Sequence, residues 1–278
     1  MERLYDNRLA QYAIGAIGLV SETRLPRAVL GPAIRGFSLL LGVDLDEARV
    51  PPGGWSSFGD FFTRRLTPES RPICGDRDAL ISPCDGLVVD AGVVTGQPSE
   101  PRLSIKGTVY GVGELIGDAE AGAAYEGGGY LVVYLHPRDY HGVHAAAEGR
   151  LALTRWTPGR RFPVARWAER RIAGVFGRNE RLTFEIGLDG GGRLATVMVA
   201  AFGVGNLASP FVGRRAGNTR RTDRLDPEPR IARGDELGAF RLGSTVVLVW
   251  TAGACVADAG LVGERVRYGR RIGRLPAP

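Results

Sequence analysis

The sequence predicts an α+β protein, with a β-rich core of short, mostly antiparallel strands and helices at its N-terminus. From about residue 80 the apolar residues gather in short β-rich runs bounded by Gly, Pro, Asp and Asn, which is how a sheet protein is punctuated. Residues 1–50 differ, because they hold two apolar segments of helical length. The 278 residues, 44% hydrophobic and 24% charged, suit an ordinary globular chain that buries a substantial core.

Taken in order, residues 8–20 (RLAQYAIGAIGLV) and 27–42 (RAVLGPAIRGFSLLLG) read as short hydrophobic helices. Pro32 inside the second predicts a break or kink, since proline has no N–H to give the preceding turn. Such helices either cap a core or lie in a membrane interface, with Arg24, Arg27 and Arg35 on the polar side. Strand-like runs follow at 79–94, 130–136, 181–188, 194–207 and 244–250. Residues 159–180 are arginine-rich and irregular, with room for one short helix, and 214–235 read as a long charged loop. The last strand opens as AFRLGSTVVLVW, where Gly243 interrupts the pattern. A strand glycine marks a bulge or bend, or a point where something approaches the backbone.

Composition narrows the function. The net charge is +6 and the basic residues are almost all arginine, Lys106 being the sole lysine. A basic surface favours anionic partners such as acidic lipid head groups or nucleic acid. However, no aromatic-plus-basic ladder suggests nucleic acid. Pyridoxal phosphate chemistry would have Lys106 alone for its Schiff base, and none is expected. Cys74, Cys84 and Cys255 are isolated, so neither a disulfide framework nor a thiolate metal site is expected, and a reducing cytosol suits them. No apolar stretch approaches a membrane-spanning length, and the charges at Glu2, Asp6 and Arg8 argue against a secretory signal.

The three histidines, His136, His141 and His144, all lie in YLHPRDYHGVH. Imidazole exchanges protons near neutral pH, so the cluster is a candidate for acid–base work. A metal site with Asp139 as a fourth ligand is the alternative, opposed by Pro137 within the segment, and no metal is expected. SPCDG at 82–86 is in the first place a turn. Asp85, a histidine and Ser244 also supply the three parts of a carboxylate–imidazole–hydroxyl relay, a combination that many proteins offer by chance.

Together these stretches resemble the phosphatidylserine decarboxylase family, from about residue 55 to 250. The resemblance rests on FGDFFTRRLTPESRPI, ISPCDGLV, KGTVYGVGELIG, YLHPRDYHGVH, RNER with VAAFGVGNL, and ELGAFRLGST, in that order. It implies a pyruvoyl-dependent proenzyme. Ser244 Oγ attacks the Gly243 carbonyl and the peptide becomes an ester; elimination releases a β chain of residues 1–243. The dehydroalanine left at 244 takes up water, loses ammonia and becomes a pyruvoyl group on an α chain of residues 244–278. The resemblance gives Asp85 the task of holding the imidazole of His144, the base for cleavage, and gives His141 the protons of decarboxylation. The pair is firmer than the division of work between its members.

The implied reaction turns phosphatidylserine into phosphatidylethanolamine and carbon dioxide. The implied setting is the cytoplasmic face of the cell membrane, with the protein held peripherally on an anionic surface. Residues 1–50 are then a docking segment and 51–278 the self-processing domain, and relatives suggest a homodimer of α/β heterodimers. The competing readings are a pyruvoyl-dependent decarboxylase of a soluble amino acid, and a serine hydrolase using Asp85, His144 and Ser244 without consuming the serine.

Overall fold

The computed structural model describes residues 21–97, 99–164, 172, 174–201, 207–213, 219–241 and 244–276, with Ser244 described by its backbone alone. A nine-stranded antiparallel sheet dominates. Its strands are β1 (Gly86–Val93), β2 (Gly129–Leu135), β3 (Gly149–Thr157), β4 (Arg181–Leu188), β5 (Arg193–Ala200), β6 (Arg221–Arg224), β7 (Arg230–Ile231), β8 (Ser244–Trp250) and β9 (Arg265–Val266). They are ordered β6-β3-β4-β5-β8-β2-β1-β9, with β7 also on β3. The fold is thus α+β and β-rich.

Solid apolar runs such as VVLVW lack the alternation of a sheet with one wet face, because both faces here are covered. On β2, β5 and β8 alternate residues enter different cores. Leu131, Val133, Met198, Val246 and Leu248 pack on one side, and Val132, Val197, Val199, Val247 and Val249 on the other. The charged segment predicted as a loop at 214–235 is partly strand, since β6 and β7 both hydrogen-bond to β3. Alternating polar side chains suffice at a sheet edge, where β6 exposes most of its residues. In the arginine-rich stretch, Val175–Arg178 form one helical turn.

Helix α1 (Arg27–Leu41) and the short α2 (Phe58–Phe62) precede the sheet. The predicted break at Pro32 does not occur, and α1 runs through it. Pro32 deprives only the Ala28 carbonyl, which lies in the exposed first turn, where water can take the place of the missing donor. Ser57 caps α2 by accepting from the Asp60 N–H at 3.1 Å. Leu30, Ile34 and Phe61 form a small third core, in which Phe37 meets Phe58 edge-on at 5.0 Å. The predicted helix at 8–20 lies outside the described residues. No helix among the described residues is long and apolar enough to cross a membrane.

Candidate active site

Strand register places Ser244 and the residue that follows Asp85 at the same end of the central strands of the large sheet. Ser244, the first residue of β8, pairs with Leu135 on one side and Ala200 on the other. Continuing the β1–β2 register places Gly86 opposite Leu135, and Gly86 pairs with Val266. Ser244 and Gly86 are therefore two strands apart, about 10 Å between backbones. His136 follows Leu135, Asp85 precedes Gly86, and Arg267 follows Val266, so all three project from the same edge.

The SPCDG turn is closed by Ser82 Oγ, which donates to the Cys84 carbonyl at 2.7 Å. Asp85 emerges from it buried and fully engaged. Arg71 Nε and Nη2 reach its two oxygens at 3.0 and 2.6 Å, and the Tyr268 N–H donates at 2.8 Å. Arg71 also holds Glu47 at 2.8 Å.

His144 lies on the short strand Gly142–His144. Its Nδ1 is 2.9 Å from the Gly234 carbonyl and its Nε2 is 3.0 Å from the Tyr140 hydroxyl. A carbonyl only accepts, so Nδ1 carries the proton and Nε2 the lone pair, to which Tyr140 donates. The ring stacks on Tyr268 at 3.8 Å, and the Tyr268 hydroxyl donates to the same Gly234 carbonyl at 2.7 Å. Burial pushes the His144 imidazole down to about 4, although the Gly234 carbonyl and the charge of Asp85 act the other way. Among the described residues Asp85 and His144 share no hydrogen bond. The orienting contact expected from Asp85 is made by Gly234 instead, and Asp85 acts on the imidazole by charge and through Tyr268.

His141 is wholly buried, 4.2 Å from the ring of Phe62 on α2. Its Nδ1 donates to the Asp139 carbonyl at 2.9 Å, which leaves the Nε2 lone pair buried and without a partner among the described residues. Burial drives its imidazole down to about 3. His136 and Asp139 build the HPRD turn itself: the His136 N–H donates to Asp139 Oδ2 at 2.8 Å, and the Asp139 N–H to the His136 carbonyl at 2.8 Å. The histidines thus serve three different tasks, and no group of three or more potential metal ligands occurs among the described residues.

Gly243 lies outside the described residues, but the segments on either side of it are placed. Glu236–Phe240 pairs with Gly142–His144, and the Phe240 N–H donates to the His141 carbonyl at 2.9 Å. Four residues later β8 begins at Ser244. The Gly243–Ser244 junction is therefore bracketed by a strand fastened to the histidines and a strand in the central sheet.

Sequence reasoning missed Tyr140, Arg71, Gly234 and Tyr268. Tyr140 and Arg71 sit inside quoted motifs, but Tyr268 and Gly234 carry no local signal. A profile of the phosphatidylserine decarboxylase family matches residues 58–274. The chain belongs to the phosphatidylserine decarboxylase family. It is 39% identical to the phosphatidylserine decarboxylase proenzyme of Acidovorax ebreus (strain TPSY), over 86% of this chain and 85% of that one. Against the proenzyme of the same name from Halorhodospira halophila (strain DSM 244 / SL1) the identity is 40%, over 91% and 86%. For that of Anaeromyxobacter sp. (strain K) it is 36%, over 93% and 92%. Like other phosphatidylserine decarboxylases, the chain is a carboxy-lyase, and the shared proenzyme name is consistent with a precursor that must be cleaved.

Proposed function

We propose that this phosphatidylserine decarboxylase is made as one chain, cleaves itself between Gly243 and Ser244, and then converts phosphatidylserine to phosphatidylethanolamine and carbon dioxide at a membrane surface. The observation that carries this reading is a neutral His144, its tautomer set by Gly234, on a strand tied directly to the segment leading into Gly243–Ser244. His144 takes the proton of the Ser244 hydroxyl as that oxygen attacks the Gly243 carbonyl. Asp85 stabilises the resulting imidazolium by charge. The pyruvoyl group formed at 244 supplies an electron-withdrawing carbonyl for the loss of carbon dioxide. His141, neutral and without a partner at Nε2 among the described residues, holds or returns the proton that replaces the carboxylate.

The bilayer is reached through the outer face of α1. Leu39 and Leu40 are 86% and 83% exposed, far beyond what a helix covering a core alone would show. Arg27 and Arg35 of the same helix are also exposed and suit an anionic surface. The proposal places this surface on the cytoplasmic face and pairs the α/β heterodimers into a homodimer.

The test is the denatured intact mass of the purified protein beside Ser244→Ala, with carbon dioxide release from phosphatidylserine vesicles and from free serine. Two chains split after Gly243 in the wild type, one in the variant, and release from the lipid alone are the expected results. A wild type that stays one chain and reacts with a serine-directed phosphonate would replace this reading with the hydrolase. Release from free serine would move the substrate to a soluble amino acid.

A further inference from the structure

A cleft of about 930 Å³ opens on the sheet edge beside the site. Seven arginines and four carboxylates line it, and Asp85, Tyr140 and Tyr268 form part of its wall. The carboxylates are largely spoken for. Glu47 and Asp85 hold Arg71, and Asp139 is taken by Arg265. Arg138 is left 3.9 Å from that occupied Asp139, and Arg270 donates to the Arg265 carbonyl. Arg64 is the unusual member. It is 4% exposed, its Nη2 donates to the carbonyls of Arg138 and Asp139, and its Nε and Nη1 have no partner among the described residues.

A buried guanidinium with unmade hydrogen bonds is costly unless an acceptor arrives. Resting on the function proposed above, we infer that this cleft is the subsite for the phosphodiester of the lipid head group. Arg64 lies at its base, and Arg138 and Arg270 at its rim.

Two chemical arguments favour phosphate over the substrate's carboxylate. A carboxylate paired with arginine would be stabilised before reaction, which opposes the loss of carbon dioxide. A phosphodiester keeps its charge throughout, so binding energy gained there positions the serine moiety without raising the barrier. The cleft also reaches Gly42, which caps α1 two residues beyond the exposed Leu40, so its mouth adjoins the proposed bilayer contact. A head group could enter while its acyl chains stay in the membrane.

The first experiment is calorimetric binding of glycerophosphoserine, the deacylated head group, to the full-length Ser244→Ala protein, with and without Arg138→Ala and Arg270→Ala. We expect saturable binding, weakened about tenfold or more by the double substitution, as befits lost charge-assisted hydrogen bonds. Inorganic phosphate is titrated in parallel. If it binds as tightly as the diester, the cleft is a site for free phosphate and the head-group assignment is overturned. No binding of either overturns the subsite whatever the enzyme's activity.

The second experiment uses cleaved enzyme and phosphatidylserine in mixed micelles. The double variant should show a raised KM with little change in kcat, and Arg64→Lys a smaller rise than Arg64→Gln. A fall in kcat at constant KM would assign these arginines another role. Chain cleavage, scored in the same samples, separates a failure of the cleft from a failure of the proposed self-processing.

Discussion

Gly142 is required by its neighbour two residues back. A Cβ at this position would collide with the ring and hydroxyl of Tyr140, the group that donates to His144 Nε2. Gly142→Ala should therefore displace Tyr140, cost about 1–3 kcal/mol of stability as an overpacked core site does, and slow the appearance of two chains. Urea unfolding and a cleavage time course on the same preparation check both effects. Gly234 is demanding for a different reason. Its φ is +93°, where a side chain is strained, and its carbonyl must face His144 and Tyr268 together. Asp85, His141 and His144 could be picked out from their motifs because residue type and near neighbours carried the signal. Gly234 could not, because its partner His144 is 90 positions away.

At the scale of elements, α1 and α2 pack a core inward, and the outer face of α1 is the docking surface proposed above. Inward, Phe61 is fully buried between Phe37, Phe58 and Trp55, and the adjacent Phe62 lies against His141. Phe61→Ala should cost about 3–5 kcal/mol, the usual loss for a buried aromatic, seen as a lower urea midpoint. Outward, Leu39→Asp with Leu40→Asp touches no core, so stability should fall by only about 1–2 kcal/mol, the cost of two carboxylates in the last turn of α1. Sedimentation with phosphatidylserine-containing vesicles should nevertheless fall about tenfold or more, since each leucine buried in lipid is worth roughly 1.5–3 kcal/mol. Equal sedimentation of the two proteins would remove α1 from the docking surface. Periodicity revealed α1 but misjudged Pro32, since propensity does not say whether a missing hydrogen bond falls at an exposed helix start or in a buried middle.

For the whole molecule, the two buried histidines make stability depend on pH. Their folded values of about 4 and about 3 lie below the ordinary 6.5, so the unfolded chain binds protons first as pH falls. Stability is then full above about pH 6.5 and is lost as pH drops below it, by about 1.4 kcal/mol per pH unit for each ring until its folded value is reached. Urea midpoints at pH 7, 6 and 5 should show this decline, and His141→Asn or His144→Asn should flatten it. An unchanged midpoint down to pH 5 would mean that the rings are already wet. In the proposed cleavage the same low value keeps His144 unprotonated as the base, so cleavage should persist at pH 6.

By itself, the sequence determined the β-rich α+β class, the family, and the pieces of the site that lie within short motifs: SPCDG, HPRDYHGVH and LGST. Each is readable because turn chemistry, strand alternation and rare residue types are properties of neighbouring positions. Only the tertiary structure decided how those pieces work together. It gave the Asp85 carboxylate to Arg71 and to the backbone of Tyr268, 183 positions away. It assigned the His144 proton to Nδ1 through Gly234, and it left Arg64 buried beside a cationic cleft with two nitrogens that have no partner among the described residues. These outcomes depend on which strand ends meet at one sheet edge, and strand order is set by packing both faces of the sheet at once, which no local stretch of sequence encodes.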